Sequence, residues 1–242
     1  MKIIVVEDYR EMSKKAADIV ASQVILKNDS VLGLATGSTP EGMYSRLVEL
    51  HREGTVDFSS TQSFNLDEYL GLDPEHSQSY HHYMHCHLFN HINTDPNNVH
   101  IPSGQASDMA AYCRNYDQQI AAAGGIDLQV LGIGGNGHIG FNEPDEFLSA
   151  GTHVVDLTEE TVEANSRFFA SRDEVPKKAV TMGMGSIMKA KKILLLASGI
   201  GKAQAIKATV SGNVSTRVPA SFLQLHRDVT LILDEEAAAL LP

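Results

Sequence analysis

Short apolar runs alternate along this chain with longer amphipathic ones. Lys2 to Val6, Val31 to Ala35, Thr61 to Leu66, Asp127 to Ile133, Ile193 to Ala197 and Val229 to Leu233 read as strands. Val180 to Met182 reads as a further short one. Asp8 to about Leu26 is predicted to be a helix, with Met12, Ala16, Ile19, Val20 and Val24 near helical spacing. A second helix opens after Thr36-Gly37-Ser38-Thr39-Pro40 and runs through Leu50 on the inner face Met43, Leu47 and Leu50. Helices are also predicted over 79–91, 108–122 and 201–210, with a helical turn at 186–190. The stretch 149–178 is less regular, with helical character. Strands taking turns with helices predict an α/β fold with a mainly parallel sheet and right-handed connections. No internal repeat, low-complexity segment or linker interrupts the pattern, so one domain over 1–242 is expected.

One junction stands out. Leu128, Val130, Leu131 and Ile133 read as a buried strand, and the chain then breaks into Gly132, Gly134, Gly135, Gly137 and Gly140. Glycines in such number at a strand end carry an entropic cost. They are explained by a sharp bend, or by a ligand that approaches bare backbone. Among them stand Asn136, His138, Asn142 and Glu143. Imidazole ordinarily titrates near neutrality. The motif thus sets an acid–base group where a parallel sheet opens its crevice.

Two more strand ends carry useful groups. Thr36 to Pro40 leads into a helix, with Thr39 as N-cap and Pro40 at the first helical position. Such a start offers unpaired N–H groups and a partial positive charge to a phosphate, and Ser38 and Thr39 add hydroxyls. It is neither a Walker A loop nor GxGxxG. A plain capped helix would look similar. Asp67 and Glu68 end an apolar strand, where one carboxylate becomes a general base if its surroundings raise its pKa; a solvated acidic turn is the alternative. Ser198-Gly199-Ile200-Gly201-Lys202 repeats the strand–glycine–helix pattern, and Lys202 and Arg167 are candidate phosphate contacts or plain surface charges.

Composition narrows the classes. Of 242 residues, 30 are acidic and 19 basic, a net charge of -11 that argues against a general nucleic-acid or membrane-surface binder. No apolar run approaches a membrane span. Cys86 and Cys113 form no framework, and the N-terminus is too short and acidic for a signal peptide; a cytoplasmic protein is expected. His81, His82, His85, Cys86, His87 and His91 crowd one predicted helix. The pairs His81/His85 and His87/His91 have metal-ligand spacing but fall on different faces, with no acidic partner as in HExxH. Hydrogen-bonded or solvated histidines are the better reading, and no metal is expected.

Together, Leu34 to Pro40, Asn65-Leu66-Asp67-Glu68-Tyr69, Ser79-Tyr80-His81, Gly132 to Pro144, Ala164 to Phe169, Pro176 to Gly183 and Val218 to Ser221 resemble the glucosamine-6-phosphate deaminase family. The pairing of Asn-Leu-Asp-Glu-Tyr with Gly-His-Ile-Gly-Phe-Asn-Glu-Pro is specific. The resemblance implies a Rossmann-like three-layer αβα sandwich without metal or organic cofactor. It implies conversion of glucosamine 6-phosphate and water to fructose 6-phosphate and ammonia. By position, Asp67 resembles the base that moves the C2 proton to C1, His138 the group that opens the pyranose ring, and Glu143 the carboxylate that orients it. Thr36, Gly37, Ser38, Thr39, Arg167 and Lys202 resemble the phosphate and sugar contacts.

The chain departs from the family at Asn136, where many relatives have aspartate. Asn136 is then an orienting residue at most, Glu143 must do more, and a lower pH of best activity is expected. His153 and Val155 stand where allosteric relatives have basic residues for an N-acetylglucosamine 6-phosphate effector. The chain also ends at Pro242, without the extension of hexameric forms. A non-allosteric monomer is expected, with 149–178 as a lid that brings in Arg167. The nearest rival is a 6-phosphogluconolactonase of similar fold. A rival of another class, a sugar-phosphate sensor domain, would normally bring a DNA-binding segment.

Overall fold

Every pairing in the main sheet is parallel, and the strand order runs far out of sequence. The computed structural model describes residues 1–166, 169 and 171–241, apart from the side chains at 160, 164, 165 and 173. In chain order, β1 (Lys2–Val6) leads into α1 (Tyr9–Leu26), then β2 (Val31–Leu34), α2 (Glu41–Arg52) and β3 (Gln62–Asn65). There follow β4 (Asp67–Tyr69), α3 (Tyr80–His87), β5 (Val99–His100), α4 (Met109–Ala122) and β6 (Leu128–Leu131). Next come β7 (His153–Asp156), α5 (Glu159–Ser166), β8 (Lys178–Thr181) and α6 (Met184–Met188). The chain closes with β9 (Lys192–Ala197), α7 (Ala203–Thr209) and β10 (Val229–Asp234).

Seven strands form the main sheet in the order β1-β10-β9-β6-β2-β3-β5. Its inner strands β2 and β9 read as continuous apolar runs because both faces are covered. Along β9, Ile193, Leu195 and Ala197 join one core with Tyr116, Ile187 and Ile206 from α4, α6 and α7. Leu194 and Leu196 join the other, with Met12, Val20, Met43 and Leu47 from α1 and α2. Helix, sheet and helix thus make three layers, the αβα sandwich that the resemblance implied.

Helix starts follow their caps. Asp8 accepts from Glu11 N at 2.8 Å, and Asp108 from Ala111 N at 2.9 Å, so α1 and α4 begin one residue later than their predicted first residues. The predicted Thr39 cap is corrected. Helix α2 starts at Glu41 after Pro40, with no side-chain cap. The Tyr9 hydroxyl takes the first-turn amide of Gly42 instead, at 2.8 Å.

A second sheet, antiparallel, was not anticipated. Its order is β4-β8-β7. The chain leaves the main sheet at Leu66, and Asp67 pairs with Thr181 rather than extending β3. β7 lies in the stretch read as irregular; its partly exposed His-Val-Val-Asp has too little pattern to declare a strand. The predicted helix over 79–91 ends at His87 and passes into a 3₁₀ turn, Phe89–His91.

Candidate active site

The central strands place the chemistry. From β2 the chain steps one way through β3 to β5; from β6 it steps the other way through β9 to β10. Loops that leave such a switch point diverge and open a crevice at the carboxyl ends of the strands. A cavity of about 280 Å³ lies there. Thr36, Gly37, Ser38 and Thr39 line it after β2, Asp67 after β3, Asn136 and His138 after β6, and Lys202 after β9. Arg167 lies outside the described residues.

The loop after β2 is held by tyrosines behind it. Tyr83 donates to the Gly37 carbonyl at 2.8 Å, Tyr9 to the Ser38 carbonyl at 3.0 Å, and buried Tyr44 to the Ala35 carbonyl at 2.5 Å. With carbonyls drawn away to the tyrosines, the loop runs into the start of α2, whose amide ends and dipole favour an anion. Sequence inspection did not find these tyrosines. They come from α1, α2 and α3, and only packing brings them to one loop.

Adjacent carboxylates after β3 have different work. Glu68 accepts from the backbone N–H of Tyr69, Tyr80 and His81 at 2.8, 3.0 and 2.9 Å, and so anchors the first turn of α3. Burial pushes its pKa up, and those three donors offset part of the push. Asp67 faces the cavity and is 7% exposed. Burial first, then the charge of Glu68, raises its pKa to about 8. A carboxyl so poised exchanges its proton near neutral pH, the condition for an efficient general base.

The glycine-rich loop after β6 builds an imidazole–carboxylate pair. His138 Nδ1 lies 3.0 Å from Glu143 Oε2. Asn136 donates to the same oxygen at 2.7 Å, and its own carbonyl oxygen takes the His138 N–H at 3.1 Å. Thr161 from α5 donates to Glu143 Oε1 at 2.6 Å. Burial works against the Glu143 charge, but His138, Thr161 and Asn136 outweigh it and hold the carboxyl at about 2. Two glycines make the arrangement possible. A Cβ on Gly134 would stand 2.3 Å from the His138 ring, and Gly140, at φ 58°, turns the chain beside Thr181 and Asp67.

Thr161 and Tyr80, both cavity residues, were missed by sequence reasoning. Thr161 carries no local signal; it reaches Glu143 only because α5 folds over the glycine loop. The histidines of α3 are engaged among themselves and their neighbours: His82 Nε2 lies 3.2 Å from Cys86 Sγ, His81 and His85 rings lie 4.5 Å apart, and His87 stacks on Tyr83 at 4.3 Å. Among the described residues, no group of three or more His, Cys, Asp or Glu is placed to hold a metal ion. Nor is any helix among them long and apolar enough to cross a membrane.

Residues 7–232 match the family model for glucosamine-6-phosphate isomerases/6-phosphogluconolactonase. This chain belongs to the glucosamine-6-phosphate isomerase/6-phosphogluconolactonase family. It is 64% identical over 241 residues to the glucosamine-6-phosphate deaminase of Halothermothrix orenii, covering 100% of both chains. It is 56% identical over 241 residues to the same enzyme of Clostridium perfringens, again covering 100% of both. A solved structure of a monomeric glucosamine-6-phosphate deaminase superposes with a TM-score of 0.97 at 49% identity, over 99% of this chain and 100% of that one. The 6-phosphogluconolactonase of Trypanosoma brucei shares the family fold, at a TM-score of 0.80 and 19% identity over 100% of this chain and 98% of that one.

Proposed function

We infer that this chain is a glucosamine-6-phosphate deaminase, which converts glucosamine 6-phosphate and water to fructose 6-phosphate and ammonia. One observation carries the reading: a carboxyl raised to about 8 shares a cavity with His138, whose imidazole is paired to Glu143. Full-length relatives of that name support it. Phosphate binds at the loop 36–39 and the start of α2, with Lys202 and Arg167 as further cations. Binding energy from this remote group positions C1 and C2. His138, with Glu143 behind it, takes the proton from the anomeric hydroxyl and returns one to the ring oxygen, which opens the pyranose. Asp67 then removes the C2 proton and delivers it to C1, while an amine proton passes to O1. The C2 imine so formed adds water and releases ammonia.

The burial of Asp67 has a use in this scheme. A substrate ammonium beside Asp67 favours the carboxylate, since an opposite charge stabilises the charged form. The base is therefore set free when an amino sugar arrives, and an N-acetyl sugar lacks that charge. We also place the protein in the cytoplasm as a monomeric, non-allosteric, single-domain enzyme with 149–178 as its lid. Support for the monomer comes from the monomeric relative, and for the compartment from the free thiols Cys86 and Cys113. Light scattering on the eluting protein should give a mass near 26.3 kDa.

The deciding experiment offers purified protein glucosamine 6-phosphate and, separately, 6-phosphogluconolactone. Ammonia release with no lactone hydrolysis is expected. Hydrolysis of the lactone without ammonia would replace this reading with the rival one.

A further inference from the structure

We propose that Thr161 is a positioning residue for His138: its hydroxyl locks the Glu143 carboxylate so that His138 keeps its second ring nitrogen towards the cavity. The proposal deepens the deaminase reading and rests on it.

Among the described residues, two donors to Glu143 come from its own loop and share one oxygen. Asn136 and His138 both address Oε2, at 2.7 and 3.0 Å. Contacts to one oxygen leave the carboxylate plane free to turn about that oxygen. Among the described residues, Oε1 takes its hydrogen bond from Thr161, at 2.6 Å, and that hydroxyl comes from a different element. Its own orientation is set in turn. Thr158 donates its hydroxyl proton to Thr161 Oγ1 at 3.1 Å, so the Thr161 proton points to Glu143. The Thr158 hydroxyl also accepts from the Thr161 N–H at 3.2 Å, as an N-cap of α5 does. Thr161 is 7% exposed and lines the cavity, so water competes little with this contact.

The element that supplies the hydroxyl is tied to the other proton handler. Helix α5 follows β7, β7 pairs with β8, and β8 pairs with β4, where Asp67 stands. One three-stranded frame thus holds Asp67 and, through α5, the hydroxyl that sets Glu143. Among the described residues, the groups that face the Glu143 carboxylate are His138, Asn136 and Thr161; Asp67 and Lys202 line the cavity that His138 faces.

The test compares wild type, Thr161→Val and Thr161→Ser. Valine keeps the volume and loses the donor; serine keeps the donor. Ammonia release from glucosamine 6-phosphate gives kcat and KM, and the ¹⁵N resonances of the His138 imidazole, assigned by their loss in His138→Gln, report its state without turnover. Thr161→Val should lower kcat about tenfold, the usual weight of one hydrogen bond to a charged group, with KM within about twofold. It should also move the His138 resonances, and Thr161→Ser should restore both. Unmoved resonances in Thr161→Val overturn the proposal, whatever happens to kcat, because loss of rate alone would then be structural. If wild type releases no ammonia, the deaminase reading fails, and the resonances still decide whether Thr161 sets His138 through Glu143.

Discussion

Two carboxyls, one on the cavity wall and one behind His138, sit in opposite kinds of surroundings. Asp67, where the chain crosses from the main sheet to the small one, is buried beside the negative Glu68, and its pKa is raised to about 8. Glu143, in the glycine loop, is only partly buried, and His138, Thr161 and Asn136 hold it at about 2. The difference lies in donors as well as depth. Desolvation opposes charge at both sites; only at Glu143 do hydrogen bonds and an imidazole outweigh it. One fold thus keeps one carboxyl poised near neutral pH and another that stays charged, the kind of separation that acid–base chemistry uses.

The sharpest way to break the comparison is Asp67→Asn. It should lower kcat by about 10²- to 10⁴-fold, the usual contribution of a general base, while binding of the sugar phosphate persists. Rates within tenfold of wild type would remove Asp67 from the base role. The same variant tests the environment. Unfolded Asp titrates near about 4, and folded Asp67 at about 8. Between those values the folded state holds the extra proton, so its stability falls as pH rises through the window. Asp67→Asn should therefore melt higher than wild type at pH 9, and the gap should narrow towards pH 5. At Glu143 the sign reverses: its contribution is present above its unfolded value and is lost as pH falls towards about 2.

Glu143→Gln comes next. It keeps the shape but removes the charge that stabilises an imidazolium, and kcat should fall about 10²-fold or more, as when a buried acid behind a catalytic histidine is neutralised. A sensitivity equal to that of an exposed glutamate would show that the pair does not act as a unit. Glu68→Gln has a smaller and directional effect. Without that like charge, the pKa of Asp67 drops, and the acid limb of the kcat/KM profile should move to lower pH. A limb that stays in place would mean that burial alone sets Asp67. The same change weakens the anchoring of α3, at a cost of about 1 kcal/mol, as for a lost helix cap. Asn136→Asp is the mildest. A like charge replaces a donor 2.7 Å from Glu143 Oε2, which favours the protonated His138 and should shift the best pH upward by less than about one unit. An unchanged or lowered optimum would argue that Asn136 only orients.

Much of this was legible before any coordinates. The apolar runs announced the parallel strands because burial on both faces leaves no polar alternation to confuse them. The glycine run around His138 announced a sharp bend or bare backbone open to a ligand, and Gly137 and Gly140, at φ 86° and 58°, make the bend. The β4 strand was not legible. Asp-Glu-Tyr has no strand pattern, and its pairing with β8 joins residues more than a hundred positions apart. Thr161 was silent because it meets Glu143, 18 positions away, only once its helix packs over the glycine loop.

Sequence by itself determined the layered α/β architecture, the loops at the strand ends and the types of chemical group they carry, because local periodicity and turn chemistry are written residue by residue. Only the tertiary structure decided which of two neighbouring acids faces the cavity, what holds each charge, and which hydroxyl reaches Glu143. Those outcomes depend on desolvation and on donors from distant elements, and such quantities exist only once the chain has folded.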